Sequence, residues 1–191
     1  MKNIKIQIIA LVLIAATVVS CNNSSNKEDS AVDTTSVTSE KTEVRKDGIA
    51  PILSGYLALN NALASDDSKA AAEAGKRILD GLENVDMNSI AANKMKQFME
   101  LAADVKENAE HIRDNAGKID HQREHLEFLS KDILDLITLF GAPQKLYQIH
   151  CPMASNEKGA DWISDSKEVK NPYFGNAMLG CGEVVKEFDQ L

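Results

Sequence analysis

The chain has 191 residues, a formal net charge of −8, 26% charged residues and 43% hydrophobic residues, enough for one compact domain plus an arm. Only 5% of it is aromatic while Ala and Leu are plentiful, so helices are favoured over a β-sandwich. The acidic balance argues against nucleic acid as a partner, because phosphate binding needs a basic face.

The chain opens "MKNIKIQIIALVLIAATVVSC". Lys2 and Lys5 precede an apolar run from Ile8 to Val19 and a small residue, Ser20, which are the three regions of an export signal. The run is short for a membrane span. "VVSC" resembles the lipobox of bacterial lipoproteins, in which the Cys is acylated and becomes the mature N-terminus. Residues 1–20 are therefore expected to be a lipoprotein signal peptide, with Cys21 lipidated and holding the protein on a membrane. The alternative is an ordinary secretory signal, or an anchor with an unrelated Cys. Asn22 rather than Asp follows the Cys, which favours the outer membrane, facing the periplasm. Residues 21–48, rich in Ser, Thr, Asn and charge, read as a flexible tether.

From residue 49 the pattern becomes helical. Ile52, Tyr56, Leu59 and Leu63 recur at three- and four-residue steps, and Pro51 suits a first turn. "SDDS", residues 65–68, supplies capping oxygens for a second helix carrying Ala71, Ala74, Ile78 and Leu82. Asp86 can cap a third, with the stripe Ala91, Met95, Phe98, Ala102, Val105, Ala109 and Ile112. Gly117 in "DNAGK" ends it. The fourth reads Ile119, Leu126, Leu129, Ile133, Ile137 and Phe140, and stops at "GAPQK". Four amphipathic segments joined by short turns predict an all-α domain, residues 49–191, built as an antiparallel up-down four-helix bundle. Residues 144–191 form its irregular tail, too small to hold a core of its own and so folded onto the bundle. In that tail "KLYQIHC" reads as a short extended segment, "NPYFG" as a turn and "GEVVKEF" as a last helical turn.

The tail also concentrates the chemistry. His150, Cys151 and Met153 stand within four residues, and Met178 and Cys181 follow in "AMLGCG". If the intervening loop folds back, Cys151, Met153, Met178 and Cys181 converge as two thiolates and two thioethers. That set selects Cu(I), with Ag(I) and Zn(II) as lesser candidates, because zinc prefers Cys and His to Met. Two other readings stand beside it. Met is a common gap filler in cores. Two cysteines left over outside the cytoplasm also pair by default.

The helices carry His121 and His125 four apart in "HQREH", with both rings on one face. His125 flanks the apolar stripe and is the better ligand candidate; His121 reads as solvated or edge-of-core. His111, on the third helix, can face them across the antiparallel pair but reads as structural. "HQREH" is not the zinc-protease HExxH, since Glu124 has the wrong offset. The sequence has no GxSxG, Gly-rich phosphate loop or CxxCH, and an enzyme is not expected. A Cys151–His150 nucleophile pair fails because neighbours on an extended segment point to opposite faces.

"YQIHCPMA", "GADWIS" and "EVKNPYFGNAMLGCG", in that order and spacing, resemble the tail of the domain of unknown function 3347 family, with the helices matching more loosely. Its members are mostly exported proteins of Bacteroidetes, and the domain is also fused to periplasmic adaptor subunits of copper and silver efflux pumps. The resemblance implies metal handling, with Cys151, Met153, Met178 and Cys181 at the motif positions. "CPM" is also similar to the CPMHP motif of short heavy-metal-binding domains, though Ala154 and Ser155 stand where that motif has His-Pro. The expected function is thus a lipid-anchored soft-metal protein of copper homeostasis, serving an efflux complex or another metallochaperone, with His125 or His150 as supplementary ligand. The alternative is a non-metal interaction module in which Cys151–Cys181 is a structural disulfide.

Overall fold

The computed structural model describes residues 46–190. The expected signal peptide, Cys21 and most of the expected tether lie outside the described residues. A 3-10 turn, Lys46–Ile49, leads into four long helices: α1 Ala50–Ala64, α2 Ser68–Glu83, α3 Ala92–Asp114 and α4 Ile119–Phe140. Pro51 sits in the first turn of α1, where its missing N–H leaves no helical bond unmade. Asp67 caps α2, its Oδ1 accepting from the N–H groups of Lys69 and Ala70 at 3.1 and 2.9 Å. Asp86 caps a 3-10 turn, Met87–Ser89, instead of α3, which starts after Ala91.

The apolar stripes face inward together. Ile52, Tyr56, Leu59, Leu63, Ile78, Phe98, Val105, Ile112, Leu126, Leu129, Ile133 and Ile137 form one buried core. Each large side chain removed from water contributes roughly 1.5–3 kcal/mol before its entropy cost. Small residues set the approach of the helices. A Cβ on Gly55 would lie 2.8 Å from the backbone nitrogen of Ile78, and one on Gly75 would lie 3.0 Å from Ala109 O. Alanine at either position would push neighbouring helices apart.

The tail corrects the all-α expectation. It is a three-stranded antiparallel sheet in the order β2-β1-β3: β1 Leu146–Cys151, β2 Ala160–Ser164 and β3 Glu183–Phe188. A single extended segment leaves its backbone N–H and C=O groups unpaired, so "KLYQIHC" requires partners. It finds them on both sides, with Ile149 opposite Trp162 and opposite Val184. "EVVKEF" is therefore an edge strand and not a helical turn; Val184 packs inward while Val185 is exposed. Tyr147, Ile149, Cys151, Ala154, Ala160 and Trp162 build a second, smaller core under this sheet.

Buried polar groups tie sheet to helices. The Ile163 N–H donates to the Tyr56 hydroxyl at 3.2 Å, that hydroxyl lies 2.7 Å from Ser130 Oγ, and Asn60 Nδ2 donates to Ile163 O at 2.9 Å. The Tyr173 hydroxyl donates to Asp161 O at 2.6 Å. Each bond satisfies a group that would otherwise be buried unpaired, at a cost of about 1–3 kcal/mol.

Candidate metal centre

α3 and α4 run antiparallel. Near the start of α3 and the end of α4, Phe98 and Phe140 meet edge-on with ring centroids 5.7 Å apart, and Lys94 Nζ donates to Leu139 O at 2.6 Å. At the other end, the turn between the helices carries Gly117 at φ +89°, a conformation that glycine adopts without strain. Buried Gln122 fixes this end. Its Nε2 donates to Ser68 O at 3.0 Å and Ile112 O at 2.9 Å, while Ser68 Oγ donates to its Oε1 at 2.7 Å. The start of α2, the end of α3 and the start of α4 are thus locked in one register.

That register brings three histidines together. One ring nitrogen from each of His111, His121 and His125 can be chosen so that all lie within 4.8 Å of one another. His111 and His125 stack, with centroids 4.2 Å apart and planes 5° from parallel. His121 stands edge-on to His125, with centroids 4.7 Å apart. His111 is exposed and the other two are half-buried, so one side of the trio opens to solvent.

Hydrogen bonds preset two of these rings. Asn108 Nδ2 donates to Asp104 O at 3.0 Å, which turns its Oδ1 toward His125 Nδ1, also 3.0 Å away. A carbonyl oxygen only accepts, so His125 carries its proton on Nδ1 and its lone pair on Nε2. Glu124 Oε2 sits 3.0 Å from His121 Nδ1 and imposes the same tautomer. Second partners of this kind orient metal-binding imidazoles and raise their basicity. The pKa of His125 is held below the ordinary 6.5 by burial first, then by the neighbouring His111 and His121, which keeps it neutral and ligand-competent. Tetrahedral coordination with bonds of 2.0–2.1 Å puts ligand nitrogens about 3.3 Å apart, so an ion would tilt His111 off His125.

The tail residues fare differently. Cys151 and Cys181 are joined in a disulfide, with Cα atoms 5.7 Å apart. The β1–β3 pairing, with His150 opposite Glu183, brings Cys181 beside Cys151, and buried Asn171 holds the approach to Cys181: its N–H donates to Leu179 O at 2.8 Å and its Nδ2 to Cys181 O at 2.7 Å. A cystine offers no thiolate, so in this form the donor set expected for Cu(I) does not fit. Met153 and Met178 are 45% and 37% exposed and do not serve as core filler. Met153 lines a hollow with Asp120, Glu124, Glu127 and Phe174. His150 lies on β1 with Nδ1 2.6 Å from Asp161 Oδ1, and Gln148 Nε2 donates to the other carboxylate oxygen at 2.8 Å. Among the described residues it joins no three-ligand group, whereas His125 does. The signal for the trio was the His121/His125 spacing together with His111 facing across the hairpin; of these three the sequence put only His125 forward as a ligand, and the structure places His111 and His121 beside it.

A separate hollow of about 580 Å³ between α2 and α3 is walled by Leu79, Leu82, Phe98 and Ala102, with Met87 and Met99 at its mouth. It contains none of the three histidines.

These features define a mostly helical domain with a disulfide-closed β tail and a candidate three-histidine centre. Residues 52–145 match the family model described as Protein of unknown function (DUF3347). The resemblance to that family is thereby shown over the helices, from within α1 through α4, whereas the tail motifs on which the sequence resemblance was chiefly drawn lie beyond the matched residues. No curated protein and no solved structure matches the chain. Among the described residues, no helix is long and apolar enough to cross a membrane.

Proposed function

We propose that the chain is a metal-binding protein of heavy-metal homeostasis, anchored in the periplasm through a lipid on Cys21 and holding one ion on His111, His121 and His125. The observation that carries this reading is the convergence of three imidazole rings, two of them held in one tautomer by Asn108 and Glu124. Its four long helices are assigned to an up-down bundle whose α3–α4 end carries the centre. The role is binding and delivery to an efflux complex or another metallochaperone, rather than catalysis. The anchor and the compartment rest on "VVSC" and the run before it.

A second reading keeps the Cu(I) clamp for the reduced protein. The two cysteines already lie together, and Met153 and Met178 each stand within three residues of one of them and reach solvent. Reduction would release two thiols beside these thioethers, a soft donor set.

Equilibrium dialysis of the full chain in non-ionic detergent, against Zn(II), Cu(II) and Cu(I) in turn, tests the proposal. Non-reduced protein retains one equivalent of an ion, and His125→Ala loses it while keeping its helical circular dichroism. Wild-type protein that retains none of the three ions, reduced or not, contradicts it.

A further inference from the structure

We infer that the three-histidine centre is an open site for a borderline divalent ion, Zn(II) or Cu(II), whose remaining coordination position takes an exchangeable ligand. This inference rests on the metal-binding reading of the same site and names its ion class and its mode of exchange.

The donor set decides the ion class. Imidazole nitrogen suits zinc and copper, whereas soft ions such as Ag(I) are selected by thiolate and thioether. No cysteine joins the group, since Cys151 and Cys181 are tied to each other on the tail. Three neutral imidazoles leave the ion's charge uncompensated. Carboxylates lie close by: Glu124 contacts His121, and Glu107 and Glu124 act on His125, whereas Asp114 is already paired with Arg113. In a field of carboxylates, a divalent ion gains about twice the Coulomb energy of a monovalent one at the same place.

The number of ligands decides the openness. Structural zinc sites close with four protein ligands, while three ligands leave a fourth position for water or an incoming group. His111 is exposed, so that position opens to solvent. An incoming donor can therefore bind before any histidine leaves, with one water released for each ligand taken up. This is the order of events that passing an ion to a partner requires. The stacked His111 ring, on the solvent side, is the ligand free to leave.

The test loads the full chain, in detergent and without reductant, with Co(II), a spectroscopic stand-in for Zn(II), and follows visible absorption as azide is added. One equivalent of Co(II) with intense four-coordinate bands is expected. Azide shifts those bands saturably, and excess Zn(II) abolishes them. His111→Ala, altered at an exposed ring, removes the bands and leaves the helical circular dichroism unchanged; bands that persist in this variant contradict the assignment. Bands that azide does not move mean a closed site and overturn the inference while leaving metal binding intact. Uptake of Ag(I) at the histidines without Co(II), Zn(II) or Cu(II) overturns the ion class alone. A chain that takes up no ion overturns the metal-binding reading itself.

Discussion

Asn108 and His125 face each other across the α3–α4 seam, Oδ1 to Nδ1 at 3.0 Å, and the bond from Asn108 Nδ2 to Asp104 O leaves Asn108 only one way to point. The protonated nitrogen of His125 is thus chosen by a residue that would never touch the ion. Asn108→Ala is expected to weaken Zn(II) binding about 10- to 100-fold, the usual cost of removing such a partner. Asn108→Asp, which keeps an acceptor in place, restores most of it. A competition titration against a coloured chelator measures both. Asn108 is half-buried near the helix surface, so the thermal midpoint of the metal-free protein should barely move.

Protons compete for the same rings. Burial and the charges of His111 and His121 lower the His125 pKa, so this ring takes up a proton only below the ordinary 6.5. The unfolded chain binds that proton first, so stability of the metal-free protein falls as pH drops from about 6.5 toward the depressed folded value. Metal affinity falls in the same direction, by about tenfold per pH unit for each imidazole that must shed a proton. Proton NMR of the ring resonances, with and without Zn(II), gives the titration curve directly. A His125 curve centred above 6.5 in the metal-free protein would contradict this environment.

Asp132 gives the opposite sign. It is 7% exposed, and burial first, then the Asp104 carboxylate, raise its pKa from 3.8 to about 6; Lys131 opposes the shift and Asp135 adds to it. A carboxyl raised in the folded state contributes stability that is present below about pH 4 and lost as pH rises through about 6. Asp132→Asn is therefore expected to stabilise the metal-free protein by about 1–2 kcal/mol at pH 7.5 and to have little effect at pH 4. Urea unfolding at the two pH values checks the difference, and equal effects would contradict it.

The cystine makes its own claim. Cys151 and Cys181 are 30 residues apart in sequence, and closing a loop of that length stabilises the fold by roughly 3–4 kcal/mol in the chain-entropy model. The Cys151→Ser, Cys181→Ser double variant should lose stability on that scale in denaturant, through the sheet. Zn(II) affinity at the histidines should remain within twofold of wild type. A parallel loss of Zn(II) affinity would mean that tail and centre are coupled.

Much of this was legible in the sequence for a physical reason. Ile52, Tyr56, Leu59 and Leu63 repeat at helical spacing because one face of a helix must be dry, and all four are fully buried. β1 could be read as extended because Tyr147, Ile149 and Cys151 alternate with Gln148 and His150. β3 could not. Its two adjacent valines among charges show no period of two, and it is a strand only because β1 has an edge to fill. The same holds for β2, whose Trp162 and Ile163 are buried on opposite cores.

The candidate site divides along the same line. Spacing in "HQREH" delivers two rings to one face, but the third comes from another helix and depends on hairpin register. His111 and His121 stand five residues either side of Ala116 in the connecting turn, but whether their rings meet is set by the helix register that Gln122 fixes, a tertiary fact. Cys151 and Cys181 left two chemistries open. The long-range pairing of β1 with β3 brings the sulfurs together, and no local pattern encodes that.

X-ray absorption at the zinc edge of the Zn(II)-loaded, non-reduced full chain tests the central claim most directly. A first shell made only of nitrogen and oxygen near 2.0 Å, with the multiple-scattering signature of three imidazoles, is the predicted result. A sulfur shell near 2.3 Å, or fewer than two imidazoles, would contradict a centre built on His111, His121 and His125.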